Sequence, residues 1–286
     1  MVNPRSIFLV LVGALGLCAQ SKLSIEQMAL HQFEDGPVLP ATYEFVPGET
    51  VYFSCRIAGF HIDKKEQDDQ VVRQSVKLSW QMRATDPAGV LLEKEKAGLI
   101  EERLLPQDKN WVPKFLVSFV IPSVAPTDTY KIGVQIKDEF AAAQASGELR
   151  FRVHGHEVEP SDTLLARNFQ FLRSENDQAP MRNPVYHAGE TLFARFDLTG
   201  FKFGENNLFQ VSYGLAVLNA ASVQMFAQPE AASETNRSFY PQRFVGGMLS
   251  LNLDPNLAKG SYILVITADD KIGKQTWEAQ HRFEVE

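Results

Sequence analysis

The sequence is poor in cysteine. Its 286 residues hold two, and one of them, Cys18, lies in an N-terminal stretch that carries the marks of a removable leader. Cys55 then stands alone, so no intramolecular disulfide forms and stability has to come from packing. A basic excess is lacking too: 28 Lys and Arg against 35 Asp and Glu give a formal charge of −7. With no Lys/Arg cluster, this balance excludes a phosphate-tracking surface and argues against nucleic acid or anionic lipid as a partner. No run beyond the leader approaches the about 20 apolar residues that span a bilayer. Gly-x-Ser-x-Gly, His-Glu-x-x-His and a phosphate-cradling glycine loop are missing, so no catalytic residue and no cofactor are expected. What is present is ordinary for a globular chain, with 44% hydrophobic and 22% charged residues, enough for about two domains with cores of their own.

The first twenty residues differ from the rest. Arg5 precedes the apolar run Ile7 to Leu17, and Cys18-Ala19-Gln20 follows. A charged start, a short apolar run and a small-residue cleavage zone predict a signal peptide over 1–20 and a secreted or periplasmic protein. An uncleaved anchor is one alternative. A lipid anchor on Cys18 is another, although Leu17 stands where a small residue normally precedes a lipidated cysteine.

An internal repeat sets the architecture. Gly48-Glu49-Thr50 through Gly59-Phe60 matches Gly189-Glu190-Thr191 through Gly200-Phe201. Leu78-Ser79-Trp80 lines up with Val211-Ser212-Tyr213, Val117 to Ile121 with Leu249 to Leu253, and Tyr130 to Asp138 with Tyr262 to Asp270. Blocks kept in the same order imply one unit present twice. Copy one carries extra residues between its first two blocks, around His61 to Gln70, where insertions belong in a surface loop. The predicted division is a leader 1–20, a first domain 21–155, a linker 156–163 and a second domain 164–286, with the polar junction beginning near His154.

Each block alternates with period two. Val51, Phe53, Cys55 and Ile57 share one face in copy one, and Leu192, Ala194, Phe196 and Leu198 share it in copy two. That pattern predicts half-buried strands, launched by the Pro47-Gly48-Glu49 and Ala188-Gly189-Glu190 turns. Short strands separated by turns, with no long amphipathic helix, predict an all-β chain of two tandem sandwiches.

The details resemble immunoglobulin-like domains. Trp80 takes the place of the aromatic often buried mid-strand, with Tyr213 as its counterpart. Tyr130 and Tyr262 open a strand in the manner of a tyrosine corner. Ile132 and Leu264 replace the second cysteine of the usual inter-sheet disulfide. The order Tyr, turn, Gly-Glu-Thr, apolar strand, then Gly260-x-Tyr262-x-Leu264-x-Ile266, is also similar to macroglobulin-type domains of bacterial and animal surface proteins. No thioester motif accompanies it, so the trapping chemistry of that family is not implied.

Several residues invite a functional reading. Cys55 points inward by parity, and Phe196 in its place argues for a small buried hydrophobe rather than a nucleophile. His154, His156, Glu157 and Glu159 have metal-ligand chemistry, but they sit in a linker that copy two does not repeat. The other histidines, among them His31, His187 and His281, suggest no partner. Asp138 and Asp270 end equivalent strands, where Asp favours turns. Trp277 shares the parity of Phe283 and Val285 and belongs to the core. The insertion bearing Asp63, Lys64, Lys65, Asp68 and Asp69 is expected as a solvated loop, with a loop that contacts a partner as the sharper alternative. Trp111, in Lys109-Asn110-Trp111-Val112-Pro113, either folds back over the sandwich or stacks on a sugar ring. The leading expectation is therefore a non-enzymatic module that presents loops or edges to a protein partner, with carbohydrate binding through Trp111 as the alternative.

Overall fold

The computed structural model describes residues 22–66, 72–105, 107–108 and 110–286. The leader, Cys18, Asp68 and Asp69 lie outside them.

Copy one contributes β1 (Ser24–His31), β2 (Glu44–Phe45), β3 (Thr50–Ala58), β4 (Asp63–Glu66), β5 (Val72–Thr85), β6 (Lys96–Leu104), β7 (Lys114–Val120), β8 (Asp128–Asp138) and β9 (Gln144–Val153). Copy two contributes β10 (Leu165–Leu172), β11 (Val185–Tyr186), β12 (Thr191–Thr199), β13 (Phe209–Asn219), β14 (Gln224–Asn236), β15 (Phe244–Asn252), β16 (Gly260–Asp270) and β17 (Gln275–Val285). Among the described residues the only helical turn is Glu205–Asn207. In each copy a three-stranded sheet, β1-β3-β7 or β10-β12-β15, faces a larger one, β2-β9-β8-β5-β6 or β11-β17-β16-β13-β14. This is an immunoglobulin-like pair of sandwiches.

Alternation places the cores as expected, with Cys55 and Phe196 both fully buried. The two copies solve one packing problem in opposite ways. Cys55 pairs across the ladder with Phe115, and Phe196 pairs with Gly247. A Cβ on Gly247 would lie 2.3 Å from the Phe196 ring. Copy one is therefore small on β3 and large on β7, while copy two is large on β12 and has no side chain opposite it. Total volume is kept while its distribution changes, which is the kind of exchange cores tolerate. The space at Trp80 is filled by stacking on Phe115, centroids 4.7 Å apart.

The turns repeat in atomic detail. Glu49 and Glu190 each donate the backbone N–H to the carbonyl three residues back, with Gly48 and Gly189 at φ +86 and +85. Only glycine takes that conformation without cost, as the third position of such a turn requires. The carboxylates then accept from the backbone N–H of Val46 and His187. Tyr130 donates to the Pro126 carbonyl at 2.9 Å and Tyr262 to that of Ala258 at 2.7 Å, so both tyrosine corners are formed. Asp138 accepts from the backbone of Phe140 and Ala141 with one oxygen and of His61 with the other. Asp270 does the same with Ile272, Gly273 and Lys202. These buried carboxylates hold two loops at once, which is more than the local turn expected of them.

Part of the insertion in copy one is regular structure. Asp63–Glu66 is strand β4, paired antiparallel with the start of β5 from Asp63↔Ser75 to Glu66↔Val72. Extending a hairpin satisfies backbone groups that a long loop would leave to water.

Candidate functional site

The residues singled out by sequence gather at the end of the first sandwich away from the linker. Lys64 and Lys65 are exposed on β4, and Lys65 pairs with Asp63 at 3.6 Å. Trp111 lies in the loop between β6 and β7. It packs edge-on to Phe60 with centroids 5.7 Å apart, and both rings rest against the first core. Trp111 thus folds back over the sandwich and joins the two loops into one surface; it is not a bare stacking platform.

The linker is exposed over most of its length, and its first residues are hydrogen-bonded to both copies. His154 donates its backbone N–H to Phe45, and Gly155 exchanges two hydrogen bonds with the Thr127 hydroxyl, at 2.8 and 2.9 Å. A Cβ at Gly155 would lie 2.1 Å from the Ala125 carbonyl oxygen, so the chain passes there only as glycine. One residue on, the His156 ring bonds to Asp197 of β12 at 2.9 Å and lies against Phe244. Asn168 donates to the same Asp197 oxygen and to the Glu157 carbonyl. Asn168 sits at a bulge with φ +51, as Gln27 does in copy one with φ +49. Asp197 is buried on the face that alternation assigned to solvent, because the linker covers it. Among the described residues no three His, Cys, Asp or Glu side chains group as metal ligands would.

A second tie joins the sandwiches directly. Asp86 follows β5 and caps the turn there, accepting from the Val90 N–H at 2.8 Å. Its side chain is 1% exposed and receives Arg243 at 2.7 Å and the Tyr240 hydroxyl at 3.1 Å. Tyr240 belongs to copy two but is buried as part of the first core, beside the tyrosine corner at Tyr130. Burial raises the Tyr240 phenol above its ordinary pKa, which keeps it a proton donor. In copy two the equivalent turn residue is Asn219, which accepts from Ala221 and Val223 and makes no ion pair. The loop that supplies Arg243 corresponds by repeat register to the loop of Trp111. Sequence reasoning missed the joint, since Asp86 and Asn219 serve the same turn and only the neighbouring copy separates them.

The remaining feature is an edge. β14 runs 13 residues and, among the described strands, is bonded only to β13. Met225 is 55% and Phe226 42% exposed, and Gln224 to Pro229 carries no charge. Its counterpart β6 is shorter and bears Lys96, Glu101, Glu102 and Arg103.

Fold and site together define a tandem immunoglobulin-like sandwich protein with a fastened joint. No family model matches the chain, and no curated protein matches it in sequence. Among solved structures, the C-terminal domain of the AgI/II polypeptide BspA from Streptococcus agalactiae overlaps 92% of this chain and 99% of its own, at 8% identity and a TM-score of 0.29. The red sea bream transglutaminase overlaps 93% of this chain but 31% of its own, at 11% identity and a TM-score of 0.26. Overlap of that order assigns no activity.

Proposed function

We propose that this chain is an exported, non-enzymatic module in which two sandwiches fixed end to end offer the β14 edge to a protein partner by strand addition. The observation that carries the reading is the edge itself: over residues 224–228, ahead of Pro229 and Glu230, it carries exposed apolar side chains and no charge. Natural sheets usually blunt such edges, and β6 shows the blunted form in the same chain. An edge left open is the geometry that takes an extended segment, with main-chain hydrogen bonds giving affinity and alternate side chains giving selectivity.

Supporting the non-enzymatic part, Cys55 is buried and its thiol is pushed up to about 12 by desolvation, far from a reactive thiolate. The surface formed by Trp111, Phe60 and β4, with Asp63, Lys64 and Lys65, is a second contact for the same kind of partner. Export rests on the leader pattern alone. The test is a defined partner isolated on the full chain. Binding is expected to weaken at least about tenfold in Met225→Lys/Ala227→Lys, and β14 amides are expected to gain exchange protection in the complex. Undiminished binding, with no protection on β14, contradicts the reading.

A further inference from the structure

We infer that the outer face of the large sheet in the first sandwich is a binding groove for a neutral oligosaccharide. This goes beyond the β14 reading and does not rest on it. Two contiguous hollows of about 470 Å3 each run along that face and share Gln135 and Ser146. The hollow follows from side-chain length. Gly133, Ala97, Ser79 and Ser146 leave the middle of the face low, while longer charged side chains stand around it.

The chemistry of the floor is uniform. Ladder partners Gln81↔Ala97, Gln81↔Gln135 and Gln135↔Ser146 form one row across four strands, and Gln144 is next to Ser146 on the same face of β9. Gln81, Gln135, Gln144 and Ser146 are exposed and make no side-chain hydrogen bond among the described residues. Each amide presents two donors and an acceptor, and the serine presents one donor and acceptor capacity. Sugar hydroxyls both donate and accept, so a row of unengaged amides matches a polyhydroxylated chain laid across the strands.

Charge selects among ligands. Lys137 pairs with Glu139 at 2.7 Å, Arg83 with Glu95 at 3.6 Å, and Lys131 with Glu148 at 3.8 Å. Each of these cations has a carboxylate beside it, Glu148 serving Arg150 at 3.3 Å as well as Lys131. A protein partner would seek an aromatic or Arg anchor; here Trp80 at the first hollow is stacked on Phe115 and Arg83 at the second is paired with Glu95. The row is also particular to copy one: at the same register copy two places Gly214, Thr267 and Glu278.

The experiment titrates the full chain with cello-, malto-, xylo-, manno- and chitohexaose by calorimetry, alongside a heparin hexasaccharide and an extended Ser-Gly peptide. At least one neutral hexasaccharide is expected to bind. Gln81→Ala/Gln135→Ala should weaken it by about tenfold or more, two lost hydrogen bonds being worth that much. Gln280→Ala, exposed on β17 of copy two, should leave it unchanged, and near-UV dichroism should show both variants folded. The proposal is overturned if no neutral hexasaccharide binds, if the double variant binds as well as the parent, or if heparin or the peptide is preferred.

Discussion

Cys55 is a structural residue whose chemistry is suppressed by its surroundings. With the thiol pushed up to about 12 by burial, native protein at neutral pH is expected to react with a disulfide reagent only through unfolding. Labelling should be slow in buffer and immediate in denaturant; prompt native labelling would show Cys55 at the surface. His281 behaves in the same spirit. Its ring stacks on Phe169 with centroids 3.4 Å apart, one ring nitrogen is buried without a partner, and desolvation lowers its pKa. The unfolded chain binds a proton near pH about 6.5 that the folded chain resists, so between those two values the unfolded state holds more protons. Stability is complete above that pH and declines as pH falls through it. Urea midpoints compared at about pH 7.5 and about pH 5.5 should differ less in His281→Leu than in the parent. Neither effect was legible beyond parity: alternation placed Cys55 inside, but the ring beneath His281 comes from β10, far away in sequence.

Strands and turns were the legible scale. Period-two alternation marked the core strands of both copies, and the paired Gly-Glu turns and tyrosine corners appear where the repeat put them. What alternation could not supply was pairing partners. The charged insertion looked like a solvated loop because charge says nothing about backbone hydrogen bonds, and β4 forms because β5 extends to meet it. The same holds for Cys55–Phe115 and Phe196–Gly247, whose volumes make sense only across a ladder. Gly247→Ala should destabilise copy two by about 1–3 kcal/mol through overpacking. Combining Phe196→Cys with Gly247→Phe, the arrangement of copy one, should recover much of that loss. Denaturant unfolding measures both, and an equal or larger loss in the double variant would show that the copies do not share this solution. Asp138→Ala strands the N–H groups of His61, Phe140 and Ala141 and is expected to cost about 2–4 kcal/mol in the same assay.

At the scale of the molecule, two independent ties cross between the copies, and they are expected to hold them as one body. The Asp86–Arg243–Tyr240 cluster fixes one side and the His154 to Glu157 strap fixes the other. A polar junction reads as a linker and carries no sign of its contacts; the strap depends on Asp197 and Asn168, which alternation treats as ordinary surface positions. A fixed joint matters for the proposed role because it holds the β14 edge and the Trp111 end at constant separation. Residual dipolar couplings measured on both sandwiches of the full chain test this most directly. Both are expected to report a single alignment tensor, and to separate into two in Arg243→Ala/His156→Ala. Two distinct tensors in the parent protein would contradict the account.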